Sequence, residues 1–228
     1  MIVYDYDPET REYKGITEAQ ESPLEQGVYL LPAHSTESAP PQAGEHQIAV
    51  YSDSGWALLD DHRGEIFYDT ATRERREIKN LGPVPDGLTD LVPGDPEAVW
   101  DGDKWIVPFS VLKRRKQREI WGVGDAILAA VKANYTQAEI ESWSKQEQGA
   151  KDLAAGISDS EAAQFVAGIA TLRGIPVETL RDKILANVTA YGQLCTAVIG
   201  TQQRLDDLIK AAETADDLAA ITWPEELG

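Results

Sequence analysis

The chain has 228 residues, 39 acidic against 21 basic, and a formal net charge of −18. That balance argues against a nucleic-acid surface, which needs positive potential facing phosphate. Cys195 is the single cysteine, so an internal disulfide is excluded and nothing points to an oxidising compartment.

Met1 to Tyr6 reads as a strand, and Asp7-Pro8-Glu9-Thr10 as a turn whose proline sits where its fixed φ is suited. Arg11 to Ile16 is the return strand, with Gly15 marking its end. Residues 17–26 are polar and read as a surface loop, Gly27 to Pro32 as a short buried strand closed by proline, and His34 to Gly44 as a polar loop. Gln47 to Tyr51 and Trp56 to Leu59 form a hairpin over Ser52-Asp53-Ser54-Gly55, with glycine where a left-handed conformation is easiest. Glu65 to Tyr68 pairs with Arg75 to Ile78 across Asp69-Thr70-Ala71-Thr72. The Leu81–Gly87 connector is no helix and a poor strand, and Val99-Trp100 with Lys104 to Val107 closes a hairpin on Asp101-Gly102-Asp103. Tyr68-Asp69-x-x-Thr72-Arg73-Glu74 repeats Tyr6-Asp7-x-x-Thr10-Arg11-Glu12, so this half reads as a small set of similar hairpins.

After Ser110 the period changes from two to that of a helix. Residues 1–110 hold 22 acidic and 8 basic side chains, a balance of −14, and ten of the twelve prolines; the remainder holds 17 and 13, a balance of −4. Val111 to Tyr135 carries Ile120, Val123, Ile127, Leu128 and Val131 at helical spacing, with Gly122 and Gly124 placed to break or bend it. Thr136 caps a second helix, and Ser158-Asp159-Ser160-Glu161 matches a capping box for a third, which Gly174 ends. From Val177 to about Ala212, Leu180, Ile184, Val188, Tyr191, Cys195, Val198, Gln202, Leu205 and Ile209 recur in steps of three and four. Such a run exceeds the ~25 residues at which a bundle or coiled coil is suspected. Thr214 caps a short last helix ending at Trp223-Pro224. The expected fold class is α+β: small antiparallel β-modules in 1–110, at about 1–45, 46–80 and 95–110, followed by an α-helical bundle or long-helix domain in 111–228.

No stretch approaches the ~20 apolar residues of a membrane span. The first ten residues lack the basic start of a signal peptide, so use in the cytoplasm of the producing cell is expected. Cys195 lies in an apolar helical run and reads as a core filler rather than a nucleophile. The basic run Lys113-Arg114-Arg115-Lys116 with Arg118 reads as a solvated helix start or interdomain linker, or else as a polybasic contact.

The search for chemistry yields no catalytic residue, no cofactor site and no metal site. His34, His46 and His62 all fall in polar loops without a second histidine or cysteine at ligand spacing, and Asp60-Asp61-His62 reads as a solvated turn more readily than as a metal or acid/base group. There is no GxSxG, no P-loop and no GxGxxG. Asp53-Ser54-Gly55 and Asp101-Gly102-Asp103 resemble fragments of calcium loops but lack the terminal glutamate, and turn propensity explains both. Trp56, Tyr68, Trp100 and Trp105 remain as candidates for partner or glycan binding, since flat aromatic faces on short sheets stack on sugars or bury into a partner. The competing reading is that so small a β-module needs its tryptophans for its own core.

The ordered series Tyr6-Asp7-Pro8-Glu9-Thr10-Arg11-Glu12-Tyr13-x-Gly15, Ser22-Pro23-Leu24-Glu25-x-Gly27 to Ala33, Asp61-His62-Arg63-Gly64, Tyr68-Asp69-x-x-Thr72, Leu81-Gly82-x-Val84-Pro85 and Trp100-Asp101-Gly102-x-x-Trp105 resembles the tail fibre assembly proteins of tailed bacteriophages over about residues 1–112. In the helical half, Tyr135-x(3)-Glu139-x(3)-Trp143-x-x-Gln146-Glu147, Arg173-Gly174, Ala186-Asn187 and Tyr191 are similar to helical C-terminal segments of phage tail proteins. The resemblance implies a non-enzymatic, ATP-independent chaperone. It would bind the C-terminal tip of a tail fibre protein in the host cytoplasm, promote its trimerisation, and in some members stay at the fibre tip. The alternative role is a virion-associated cap that binds host glycan or lipopolysaccharide, with no nucleic-acid partner and no membrane insertion.

Overall fold

The computed structural model describes residues 1–225, so the last three residues assigned to the helical half lie outside the described residues. The architecture is α+β, with short antiparallel strands first and helices after. The chain divides into two compact units, Met1–Val107 and Pro108–Gly228.

The strands of the first unit are β1 (Ile2–Tyr6), β2 (Tyr13–Glu18), β3 (Gln20–Glu21), β4 (Tyr29–Leu30), β5 (Ser35–Thr36) and β6 (Gln47–Ser52). They continue as β7 (Gly55–Asp60), β8 (Ile66–Asp69), β9 (Arg75–Glu77), β10 (Leu88–Thr89), β11 (Val99–Trp100) and β12 (Trp105–Ile106). They form five small antiparallel sheets, ordered β2-β1-β5, β10-β8-β9, β3-β4, β6-β7 and β11-β12. Two of these pairings fall where the sequence suggests loop. The supposed surface loop at 17–26 contains the end of β2 and all of β3, and the polar loop at 34–44 contributes β5 to the edge of β1. In both places polar residues form strand because backbone pairing, not side-chain burial, holds them.

The repeated sequence motif folds as a repeated turn. The Asp7 carboxylate accepts the backbone N–H of Glu9 and Thr10, while the Asp7 N–H donates to the Glu12 carbonyl at 2.8 Å. Asp69 does the same with Ala71, Thr72 and Glu74. Each turn closes on an arginine in the left-handed region, Arg11 at φ 65° and Arg73 at φ 66°. The hairpin at Asp101 uses the same carboxylate-to-backbone device toward Asp103 and Lys104. The β2-β1-β5 and β6-β7 sheets are joined by a Glu12–Val50 bridge and by Arg63, whose guanidinium spans Glu12 at 2.8 Å and Asp61 at 2.7 Å. The buried apolar residues of this unit are few and spread along it: Val3, Ala49 and Phe67 in strands, and Ala19, Ile78 and Ala98 beside them.

The second unit comprises α1 (Phe109–Lys132), α2 (Gln137–Ala154), α3 (Glu161–Arg173), α4 (Val177–Ala211) and α5 (Ala215–Ala220). Gly122 and Gly124, placed in sequence to break or bend this helix, do not break α1. A Cβ on Gly124 would fall 2.3 Å from the Gln202 amide nitrogen, so this glycine admits α4 rather than ending a helix. Thr136 caps α2 by accepting from the Glu139 N–H. For α3 the cap is Ser160, which accepts from Ala163; the capping box anchored on Ser158 does not form, and Ser160 also donates to Asp152 of α2. Gly174 ends α3 in the left-handed conformation, and Thr214 and Asp217 form a capping box on α5.

Helix α4 is the spine of this unit. Its first half joins α2 and α3 around Ala150, Val166, Ala170, Leu180 and Ile184. Its second half joins α1 and α5 around Ile120, Leu205, Ile209, Ala212, Leu218 and Ile221. Lys113 donates to the Lys210 carbonyl, Trp121 to the Asp206 carboxylate and Gln202 to the Trp121 carbonyl, so α1 and α4 run antiparallel. The basic run therefore starts α1, with Lys113 on the carbonyl end of α4, where a cation is favoured by the helix dipole. One expectation is amended here. Among the described residues, Val177–Ala211 is long and apolar enough to cross a membrane by length and composition alone. Its Leu180, Ile184, Val198, Leu205 and Ile209 are buried within the helical unit.

Candidate functional site

The most exposed apolar surface of the first unit lies on β1 to β4. Gly27 to Pro32 is not the buried strand its composition suggests. Val28, Tyr29, Leu30 and Leu31 are all exposed, Leu30 at 55%, and Leu24 in the preceding loop stands at 91%. The physical reason is the partner: β4 pairs only with β3, whose Gln20 and Glu21 offer no apolar face to cover it. On the neighbouring β1–β2 pair, Ile2 and Ile16 are also exposed; Ile16 stands opposite Tyr4, two residues along from Ile2 and thus on the same face. Exposed apolar side chains along one short hairpin make β3–β4 a candidate contact surface. The two-stranded β3-β4 sheet also leaves backbone edges available for strand addition.

The four aromatic candidates occupy three different sheets. Trp56, opposite Tyr51 on β6–β7, is half-buried and meets Tyr6, Tyr13 and Tyr51 edge-on at 5.1 to 6.3 Å between ring centroids. Its indole N–H donates to the Ser38 carbonyl at 2.7 Å. Trp105 stands opposite Trp100, edge-on at 5.3 Å, and its indole N–H donates to the Leu91 carbonyl at 2.8 Å. Tyr68 is half-buried in the central strand β8, between Arg75 and Thr89. Both indoles thus pin a preceding loop to a hairpin, and their faces are engaged by other rings. The structure does not assemble the four into one stacking platform.

The histidines, placed apart by the sequence, partly converge. The β6–β7 register sets Gln47 opposite Asp60, so His46 and His62 meet at the open end of that hairpin. Their rings stack at 5.0 Å with 15° between planes, and Glu65 reaches both, Oε1 at 2.5 Å from His46 Nδ1 and Oε2 at 3.3 Å from His62 Nδ1. Partial burial pushes the Glu65 carboxyl up, but hydrogen bonds from His62 and His46 outweigh it and hold the group below its ordinary value. The absence of ligand spacing in the linear sequence therefore did not keep these groups apart; the hairpin register was the signal that could have found them. The Asp53 and Asp101 motifs act as turns, and Asp101 spends its carboxylate on its own backbone.

In the helical unit, Val131, Tyr135, Trp143, Ile184, Val188 and Tyr191 line a cavity of about 460 Å³ with Glu139 and Glu147 at its wall. Trp143 meets Tyr135 at 5.2 Å and Tyr191 at 5.3 Å, both edge-on. Burial, with the Cys195 thiol beside it, raises the Tyr191 phenol above its ordinary value. Cys195 itself is half-buried on α4.

Comparison with known proteins separates the two ends of the chain. Residues 1–59 match the model of the tail fiber assembly protein N-terminal domain, and residues 186–223 match that of the HI1402 helical domain. The tail fiber assembly protein of Escherichia phage lambda is 37% identical over 91 residues, 39% of this chain and 47% of its own. The prophage tail fiber assembly protein homolog TfaE of Escherichia coli K12 is 42% identical over 111 residues, 46% of this chain and 52% of its own. The homolog TfaR of the same strain is 37% identical over 91 residues, 39% of this chain and 48% of its own. The chain thus spans about half the length of the relatives it matches. No solved structure matches.

Proposed function

We propose, from the similarity of its N-terminal part to tail fibre assembly proteins, that this chain is an assembly chaperone that holds the C-terminal tip of a phage tail fibre polypeptide until three copies intertwine. The observation that carries the reading is the exposed apolar hairpin β3–β4, with Leu24, Val28, Leu30 and Leu31 uncovered inside the segment that the family model matches. Unassembled fibre tips offer unpaired strand edges and apolar faces that aggregate. A partner strand laid along β3–β4 would satisfy those edges by backbone hydrogen bonds and cover the apolar side chains. The acidic surface keeps such a complex soluble. Release by fibre trimerisation needs no nucleotide, in keeping with a sequence that has no phosphate-binding loop. Action in the cytoplasm of the infected bacterium during assembly follows from this role, and the relatives' names point to assembly rather than catalysis.

The test is coexpression with the fibre protein encoded beside it. Soluble trimeric fibre is expected with the chain present and aggregated fibre without it. Paired Leu30→Ser and Leu31→Ser substitutions, on side chains already exposed, should abolish the effect while leaving the chain folded. Equal yields of soluble trimer in the absence of the chain would overturn the proposal.

A further inference from the structure

The geometry points to a divalent transition-metal site, of the zinc type, formed by His46, His62 and Glu65. The three side chains each offer a ligand atom, and these atoms all lie within 4.8 Å of one another. Two ligands held about 2.1 Å from a tetrahedral metal sit about 3.4 Å apart, so side-chain rotation of roughly 1 Å closes the set. Two imidazoles and one carboxylate are a ligand set that holds zinc with a fourth position open to water or to an incoming side chain.

The backbone around the three residues is fixed before any ion arrives. The Asp61 N–H donates to the His46 carbonyl at 2.7 Å, the Glu65 N–H to the His62 carbonyl at 3.0 Å, and the Ile78 N–H to the Glu65 carbonyl at 3.0 Å. His46 itself stands in the left-handed region at φ 56°, an uncommon conformation for a residue with a side chain. His62 is held edge-on against the buried Phe67 ring at 5.9 Å. On its far side the His46 ring has Nε2 3.7 Å from the exposed Glu45 carboxylate, which a small shift would bring to the hydrogen-bond distance at which an outer carboxylate orients a metal-bound imidazole. Arg63, the cation of the same turn, is engaged by Glu12 and Asp61, which leaves Glu65 to the imidazoles. The excess of acidic groups in the first 110 residues draws cations to this unit.

The ion would tie the residue before β6 to the turn between β7 and β8, adding a side-chain link to the backbone pairing already there. The test uses the full chain, stripped of metal and titrated with Zn²⁺ alone, with uptake measured by equilibrium dialysis and the coordination by X-ray absorption. One Zn²⁺ per chain with nitrogen and oxygen neighbours is expected, together with a rise in the melting temperature, since the ion binds the folded form. His46→Asn, chosen because asparagine tolerates the left-handed conformation, and Glu65→Gln should each weaken uptake about 10-fold or more, and Glu45→Gln by a smaller factor. His34→Asn and Cys195→Ser should bind as the parent does. Metal-free melting of each variant at the parent temperature separates ligand loss from misfolding. Absence of stoichiometric uptake, uptake unchanged in His46→Asn and Glu65→Gln, or uptake lost with Cys195→Ser, overturns the site.

Discussion

At the residue scale the molecule relies on aspartates that bind their own backbone. The N–H groups of Thr10 and Glu9, with Lys14 nearby, hold the Asp7 carboxyl down to about 2. Thr72 and Ala71 lower Asp69, and Lys104 and Asp103 lower Asp101, in the same way. A carboxyl whose folded pKa is depressed contributes stability that is complete above its unfolded value and disappears as pH falls through the folded value. The β unit should therefore lose stability between about pH 4 and pH 2, followed as the melting temperature against pH. Asp7→Asn, Asp69→Asn and Asp101→Asn combined should flatten that limb; an unchanged limb would mean that other carboxylates govern it. Glycines give a second residue-scale contrast. A Cβ on Gly149 would lie 2.1 Å from the Ala162 carbonyl oxygen, fixed backbone, whereas at Gly124 it would meet the movable end of Gln202. Gly149→Ala should cost about 2–3 kcal/mol in denaturant unfolding and Gly124→Ala clearly less.

At the element scale, α3 shows what a cap contributes and what sequence reveals of it. Ser160 accepts from Ala163 and donates to Asp152, so it closes one helix while tying it to another. Ser160→Ala should destabilise the helical unit by about 1–2 kcal/mol, read from urea unfolding, and Ser158→Ala should not. Periodicity located α1 and α4 and capping residues marked α2 and α3; Val177–Ala211 has the length its apolar spacing implies, because a face buried at steps of three and four is written directly in the chain. Turn chemistry was equally legible: the Tyr-Asp-x-x-Thr-Arg-Glu repeat predicts two equivalent turns, and Arg11 and Arg73 adopt the same left-handed φ. The short polar strands β3 and β5 were not, since they are specified by the backbone of a distant partner rather than by their own side chains. For the same reason the candidate docking hairpin was misread: an apolar run such as Val28 to Leu31 reports burial only if something apolar is opposite it, and Gln20 and Glu21 are opposite it. The histidine cluster was hidden likewise, because residues 46 and 62 become neighbours only through the β6–β7 register.

At the scale of the whole molecule, two units differ in how they are held together, and this has a measurable consequence. The helical unit has extended apolar cores at both halves of α4, while the β unit depends on scattered buried residues, pinned indoles and turn hydrogen bonds. Leu205 is buried among Ile120, Ile209 and Leu218, so Leu205→Ala removes both transfer energy and packing, about 2–5 kcal/mol. In a unit of this size that loss lowers the melting temperature by roughly 10 °C or more. Phe67 supplies the corresponding burial in β8, beneath the β10-β8-β9 sheet. If each unit folds on its own core, calorimetry of the full chain should resolve two transitions, with Leu205→Ala moving one and Phe67→Ala the other. A single transition displaced by both substitutions would show that neither unit is stable without its neighbour. Separate transitions would also fit a protein in which residues 1–59 and 186–223 resemble different families, each segment carried in its own compact unit.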